Sequence, residues 1–129
     1  MKKISIAFLL SFVLSGLLFA QKKPEVKFEK NEYDYGSIKE EVEVALSEFE
    51  FTNTGNSPVV IQRVIASCGC TSPTYTREPV LPGKKGNVKV AYNTIYRPGT
   101  FRKSIRGYTN VPDTVYTLTI KGNVIPMKR

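Results

Sequence analysis

The residues in this chain best suited to chemistry are two thiols one residue apart, Cys68 and Cys70, in the stretch Ser67-Cys68-Gly69-Cys70-Thr71 of a protein without histidine. Four uses of such a pair compete. In an extended segment both side chains face the same way, with Cα atoms roughly 6.6 Å apart, near the upper limit for a disulfide, and Gly69 lets the chain bend to shorten that span. A bridge over so short a loop is strained and reducible, and it gains little chain-entropy stabilisation. Two thiolates on one face also suit Cu(I), a soft ion that accepts two sulfur ligands. Thiol–disulfide exchange is the third use, with Arg63 or Arg77 as a nearby source of positive charge, although no Cys-x-x-Cys at a helix start is present. The fourth is purely structural, since cysteine is among the most buried residue types.

The missing histidine removes other chemistry. Structural zinc wants four Cys or His ligands, and here it would have to recruit a carboxylate such as Glu78 or a second molecule. Hydrolases built on a histidine base are excluded whatever Ser47, Ser57 or Ser72 suggest. No glycine-rich phosphate cradle or calcium loop appears. Glu40, Glu41 and Glu43 form an acidic run that reads as a solvated hairpin rather than a carboxylate pair. The expectation is a protein that is not an enzyme and carries no cofactor.

The elements that position the thiols follow from length and periodicity. A chain of 129 residues with 41% hydrophobic content suits one globular domain. Residues 1–20 are set apart: Lys2 and Lys3, an apolar run from Ile4 to Leu14, then a short exit ending in Ala20, which reads as a secretory signal peptide. Cleavage after Ala20 leaves Gln21 first and residues 21–129 as the mature domain; Leu18 departs from the ideal small residue three before the cut. The apolar run is shorter than the roughly 20 residues of a membrane span. No cysteine near the cut offers itself for lipid attachment. A periplasmic or extracellular location follows, with no transmembrane span in the mature chain, and an oxidising compartment favours bridging of the thiols.

Beyond Gln21 the signal is period two with turns at short intervals. Val26 and Phe28 lead into Tyr33-Asp34-Tyr35-Gly36 as a first strand region. Val42, Val44 and Leu46 alternate on even positions while Phe49 and Phe51 do so on odd ones, which predicts a bulge near Ala45–Ser47. Val59 to Ile65, then Val88, Val90 and Tyr92, then Phe101, Ile105 and Tyr108, then Val115 to Val124 supply further strands. Between them lie Asn53-Thr54-Gly55-Asn56-Ser57-Pro58, Pro82-Gly83-Lys84-Lys85-Gly86, Arg97-Pro98-Gly99 and Asn110-Val111-Pro112-Asp113. About seven strands in about 100 residues predict an all-β fold, an immunoglobulin-like antiparallel β-sandwich, without the Cys–Trp–Cys core of antibody domains. The last strand, ending at Val124-Ile125-Pro126, is either an exposed edge open to a second copy or a central strand.

The motifs Tyr33-Asp34-Tyr35-Gly36-Ser37-Ile38, Phe49 to Asn56, Ser67-Cys68-Gly69-Cys70-Thr71-Ser72-Pro73, Pro82 to Gly86 and Arg97-Pro98-Gly99 run in an order that resembles a bacterial family, domain of unknown function one-five-seven-three. That family is similar to the immunoglobulin-like modules named for Abnormal spindle, SPD-2 and Hydin, also called major-sperm-protein-like domains. The resemblance implies the fold and a non-catalytic scaffold role, with Cys68, Gly69, Cys70 and Thr71 as its signature. It implies no activity.

Charge bears on partners. The full chain carries a formal +8, and removal of Lys2 and Lys3 lowers this to +6. Lys84, Lys85, Arg97, Arg102, Lys103 and Arg106 are candidate contacts for an anionic partner such as a polysaccharide or lipid headgroup, or equally a solvated face. Nucleic acid is not expected, because the chain is exported and shows none of the usual binding motifs. Two functions therefore stand: a non-enzymatic module binding an unknown protein or cell-surface partner through a sheet edge or loop end, and a periplasmic thiol-redox or Cu(I)-handling protein using Cys68 and Cys70.

Overall fold

The structure is a computed structural model and describes residues 21–129; the predicted signal peptide, residues 1–20, lies outside the described residues. Eight strands follow one another: β1 (Val26–Phe28), β2 (Glu32–Lys39), β3 (Val44–Asn53), β4 (Ile61–Ala66), β5 (Thr71–Tyr75), β6 (Lys85–Asn93), β7 (Gly99–Thr109) and β8 (Val115–Ile125), with one 3-10 turn at Glu40–Val42. They form two four-stranded sheets, ordered β1-β3-β6-β5 and β2-β8-β7-β4. This is the immunoglobulin-like sandwich, with one parallel pair, β2 on β8, among antiparallel neighbours. Among the described residues no helix is long and apolar enough to cross a membrane.

Two strands go beyond the regions read from the sequence: β5, which starts within the cysteine motif, and one that comes from a split at the start of the described chain. The Glu29 N–H still bonds Glu50 of the first sheet, whereas the Asn31 carbonyl already accepts from Thr119 of the second. The chain therefore changes sheets between β1 and β2, within what the sequence presents as one strand region. Strand β8 lies between β2 and β7, so it is central, and its backbone is not available to a second copy.

The bulge predicted near Ala45–Ser47 does not exist. Strand β3 pairs β6 without a break from Val44↔Asn93 to Thr52↔Lys85. Ala45, Ser47, Phe49, Phe51 and Asn53 all face inward, leaving Val44 and Leu46 outside, with Leu46 71% exposed. The physical reason is register: with period two, one phase must serve the whole strand. Burying two phenylalanines, each worth about 1.5–3 kcal/mol, outweighs burying Leu46. Register shifts occur instead on the edge strands, between Asp34 and Ser37 in β2 and between Ile61 and Arg63 in β4, where an irregular edge resists pairing with other chains.

Phe49, Phe51, Val88, Val90, Tyr92, Ile105, Leu118, Ile120 and Val124 fill the space between the sheets. Phe28 packs its ring against both Phe51 and Tyr116, with centroids 5.4 and 5.6 Å away, so the short first strand is held by aromatic contact as well as by its ladder. At Gly86, opposite Phe51 in the ladder, a Cβ would stand 2.5 Å from the Phe51 ring. The glycine makes room for the Phe51 ring.

Candidate functional site

The thiols sit in the link that carries the chain from β4 in one sheet to β5 in the other. Gly69 forms the corner of a turn in which the Thr71 N–H donates to the Cys68 carbonyl at 3.2 Å. This bend brings the Cα atoms of Cys68 and Cys70 to 5.2 Å, and a disulfide joins them. The span lies well inside the usual disulfide range, so the turn removes the stretch expected of an extended segment. Cys70 is 3% exposed and belongs to the core, whereas Cys68 is half-buried and packs at its margin. Closing a loop with a sequence separation of two contributes roughly 1.6 kcal/mol in the chain-entropy model, about half the value for a 15-residue loop. A disulfide offers no thiolate to a metal, so Cu(I) binding at this pair requires prior reduction.

Hydrogen-bond donors surround both sulfurs. The Cys70 N–H donates to Cys68 Sγ at 3.0 Å, and the Thr71 hydroxyl lies 3.5 Å from Cys70 Sγ. The turn is fastened to the neighbouring strand, since the Asn93 N–H donates to the Cys70 carbonyl at 2.9 Å. One residue further along, Thr94 is fully buried and bonds the 3-10 turn and the residue that ends it: its hydroxyl donates to the Glu40 carbonyl at 2.9 Å and its N–H to the Glu43 carbonyl at 3.0 Å.

Glu40 is the anchor of this end of the sandwich. Among the described residues it is the only charged side chain that is buried, at 0% exposure, so the acidic run is not a solvated hairpin throughout. Its carboxylate accepts from the Tyr96 N–H at 3.0 Å and the Met127 N–H at 3.2 Å, and it pairs with the Arg129 guanidinium. That guanidinium lies 4.4 Å from the Tyr96 ring centroid, adding a cation–π contact. The Arg129 hydrogen bond, followed by the Tyr96 N–H, holds the Glu40 carboxyl at a pKa of about 2, against the opposing effect of burial.

Sequence reasoning passed over Glu40 because nothing local distinguishes it from Glu41 or Glu43. Its partners lie 56, 87 and 89 residues away. A weak signal is Arg129, a cation four residues beyond the end of β8.

A surface cleft of about 630 Å³ opens beside the disulfide turn, lined by Glu43, Val44, Gly69, Cys70, Ser72, Ala91, Asn93 and Ile95. Its rim holds unusual backbone. Glu43, with φ 66° and ψ −51°, and Tyr96, with φ 57°, are two of the three non-glycine residues at positive φ among the described residues. Such conformations cost of order 1–3 kcal/mol each and persist where surrounding contacts over-determine them. Here the hydrogen bonds to Glu40 do so from both sides.

The basic residues do not share one face. Lys84 and Lys85 stand at the far end of β6, where Lys85 pairs with Glu50 at 3.0 Å. Arg97 belongs to the turn before β7, its N–H bonded to the Thr94 carbonyl. Arg102 and Arg106 share one face of β7, and Arg102 pairs with Glu32 at 3.3 Å. Lys103 lies on the opposite face of β7, in phase with Phe101 and the buried Ile105.

The fold and the family agree. The family model described as "Protein of unknown function (DUF1573)" matches residues 26–124, and the chain belongs to that family. No curated protein matches the sequence. Among solved structures, a Porphyromonas gingivalis W83 protein of unknown function is similar, with a TM-score of 0.67 and 15% identity over 81% of this chain and 48% of that one. The Vibrio cholerae VesB protease is similar with a TM-score of 0.60 and 11% identity, over 78% of this chain and 31% of that one. The YadV chaperone gives 0.53 and 14%, over 80% and 52%. This chain thus spans about half of the Porphyromonas protein and about a third of the Vibrio protease. At these identities the likeness is one of fold, and it brings no activity with it.

Proposed function

We propose that this protein is an exported, non-enzymatic immunoglobulin-like module that binds a protein or cell-surface partner at the cleft end of the sandwich. The observation that carries the reading is the apolar surface there. Val42, Val44 and Leu46 are each more than half exposed, and Leu46 stands opposite Ala91, which with Val44 and Ile95 lines the cleft. Exposed apolar side chains clustered at a rim of polar backbone are the usual mark of a docking surface. Among the described residues the one buried acid, Glu40, is engaged by the Tyr96 and Met127 N–H groups and by Arg129. Export rests on the leader pattern of residues 1–20, and it predicts a mature chain whose first residue is Gln21.

The test is chemical crosslinking in the native compartment with the wild type and a Val44→Lys/Leu46→Lys variant. The expected result is loss of the wild-type crosslinks with little change in melting temperature. An unchanged crosslinking pattern in the folded variant overturns the docking surface. Mass measurement of the isolated protein's N-terminus checks export separately.

A further inference from the structure

We infer that the Cys68–Cys70 disulfide is a thiol-exchange site, reduced by a dithiol of a partner protein, and that Cys68 is the sulfur attacked. This chemistry stands apart from the docking role and does not rest on it. Four observations converge. The two residues differ in exposure, Cys68 being half-buried at the rim and Cys70 3% exposed in the core. An incoming thiolate therefore meets Cys68 first. Each sulfur, once released as a thiolate, already has a donor: the Thr71 hydroxyl at 3.5 Å for Cys70 and the Cys70 N–H at 3.0 Å for Cys68. Hydrogen bonds to the charged form lower a thiol's pKa and make it a better leaving group.

Positive charge is placed to help. Strand β4 pairs β7 at Ala66↔Ile105, and the Ser67 N–H donates to the Ser104 carbonyl. The next residue of β7 beyond Ser104 is Lys103, in the inward phase of that strand, so a positive charge stands near the end of the ladder from which the chain continues into Cys68. Finally, the turn does not need the bridge. The Cys68 carbonyl is held by the Thr71 N–H and the Cys70 carbonyl by the Asn93 N–H, so the corner keeps its shape when the sulfurs part.

The exchange balances as follows. A thiolate of the partner attacks Cys68 Sγ, forming a mixed disulfide and breaking the Cys68–Cys70 bond. Cys70 leaves with the electron pair. The partner's second thiol, as thiolate, then attacks its own sulfur in the mixed disulfide and releases Cys68. The partner is oxidised to a disulfide, Cys68 and Cys70 are reduced by two electrons, and the partner's two thiol protons end on the released cysteines. The reverse sequence reoxidises the pair.

The experiment uses the folded chain with dithiothreitol as the dithiol, quenched by alkylation and read by mass spectrometry. Reduction of the folded protein is expected within about tenfold of the rate in the unfolded protein, because an accessible sulfur rather than unfolding controls it. The reduced protein is expected to keep a cooperative unfolding transition. With oxidised glutathione as the probe, Cys70→Ser, which leaves Cys68 free, is expected to form the mixed disulfide about tenfold or more faster than Cys68→Ser. Should either variant fail to fold, peptide mapping of the glutathione adduct trapped on the wild type locates the attacked sulfur. A pair that stays oxidised until the protein unfolds, or a reduced protein without a cooperative transition, overturns the exchange site. An adduct found on Cys70 alone overturns the order of attack.

Discussion

Strand β3 runs from one end of the sandwich to the other, and each end is closed by a fully buried polar side chain of a different kind. At its last residue, Asn53 donates through Nδ2 to the carbonyls of Ser57 and Val80, at 2.8 and 2.9 Å, and accepts from the Gly55 N–H at 2.9 Å. Its own N–H and carbonyl bond Lys84 and Gly83. Each of these bonds joins neutral groups. Shortly before the first residue of β3, Glu40 does comparable work with a charge, an arginine from the segment after β8, and two positive-φ residues beside it. A neutral amide with its bonds satisfied locks a loop without regard to pH or salt. A buried carboxylate needs its cation and its donors together, because either alone leaves a charge out of water. The cleft and the disulfide turn lie at the charged end. The difference teaches that this fold keeps one end fixed and makes the other depend on a contact with the segment after β8.

The largest expected effect comes from breaking the neutral end. Asn53→Ala removes the amide donor from the Ser57 and Val80 carbonyls and the acceptor from the Gly55 N–H, and is expected to cost about 3 kcal/mol, seen as a lower denaturant midpoint at unchanged m-value. Gly55→Ala attacks the same loop by another route, since its Cβ would stand 2.2 Å from the Lys23 carbonyl oxygen. Here too a drop in melting temperature is expected, together with release of the segment before β1.

An intermediate effect, and the one that separates the two ends, is pH dependence. Folding lowers the Glu40 pKa from an ordinary 4.5 to about 2, so the unfolded chain binds a proton at this site more readily than the folded one. The stabilisation is therefore complete above about pH 4.5 and is lost as pH falls toward 2. Glu40→Gln is expected to flatten that part of the stability–pH curve and to speed proteolysis of the residues after β8. Asn53→Ala leaves the slope intact. Identical slopes in the wild type and Glu40→Gln would remove the charged anchor from the account.

A smaller effect is expected from opening the disulfide. Cys68→Ala/Cys70→Ala is expected to lower stability by at most about 2 kcal/mol, most of it loop entropy, as measured by chemical denaturation. The smallest belongs to the surface: Leu46→Lys is expected to change stability by less than about 0.5 kcal/mol, since its side chain stands in solvent.

Much of the strand content was legible because turns and period two are local. Gly36, Gly83 and Gly99 adopt positive φ and Gly55 meets a neighbouring backbone closely, as expected of glycines in turn motifs. The reading of β3 failed for an instructive reason. Val42, Val44 and Leu46 are apolar and alternate, so they look like core, but Phe49 and Phe51 already claim the inward phase, and hydrophobicity alone does not say which of two alternating sets wins. Asn56 shows the same limit. Its side chain is suited to bonding its own loop, yet its Oδ1 accepts from Lys23 and its Nδ2 donates to Gln21, tying down the segment before β1.

The sequence by itself determined an all-β sandwich, the places where its turns fall, the closeness of the two thiols and the exclusion of histidine chemistry, because each depends on neighbours along the chain. Only the tertiary structure decided that Cys70 enters the core while Cys68 stays at the rim, that β8 is central, and that Glu40 rather than Glu41 or Glu43 is buried against Arg129. Those outcomes turn on which distant segments arrive at the same place, and the hydrogen bonds and desolvation that select among them exist only after the chain has closed.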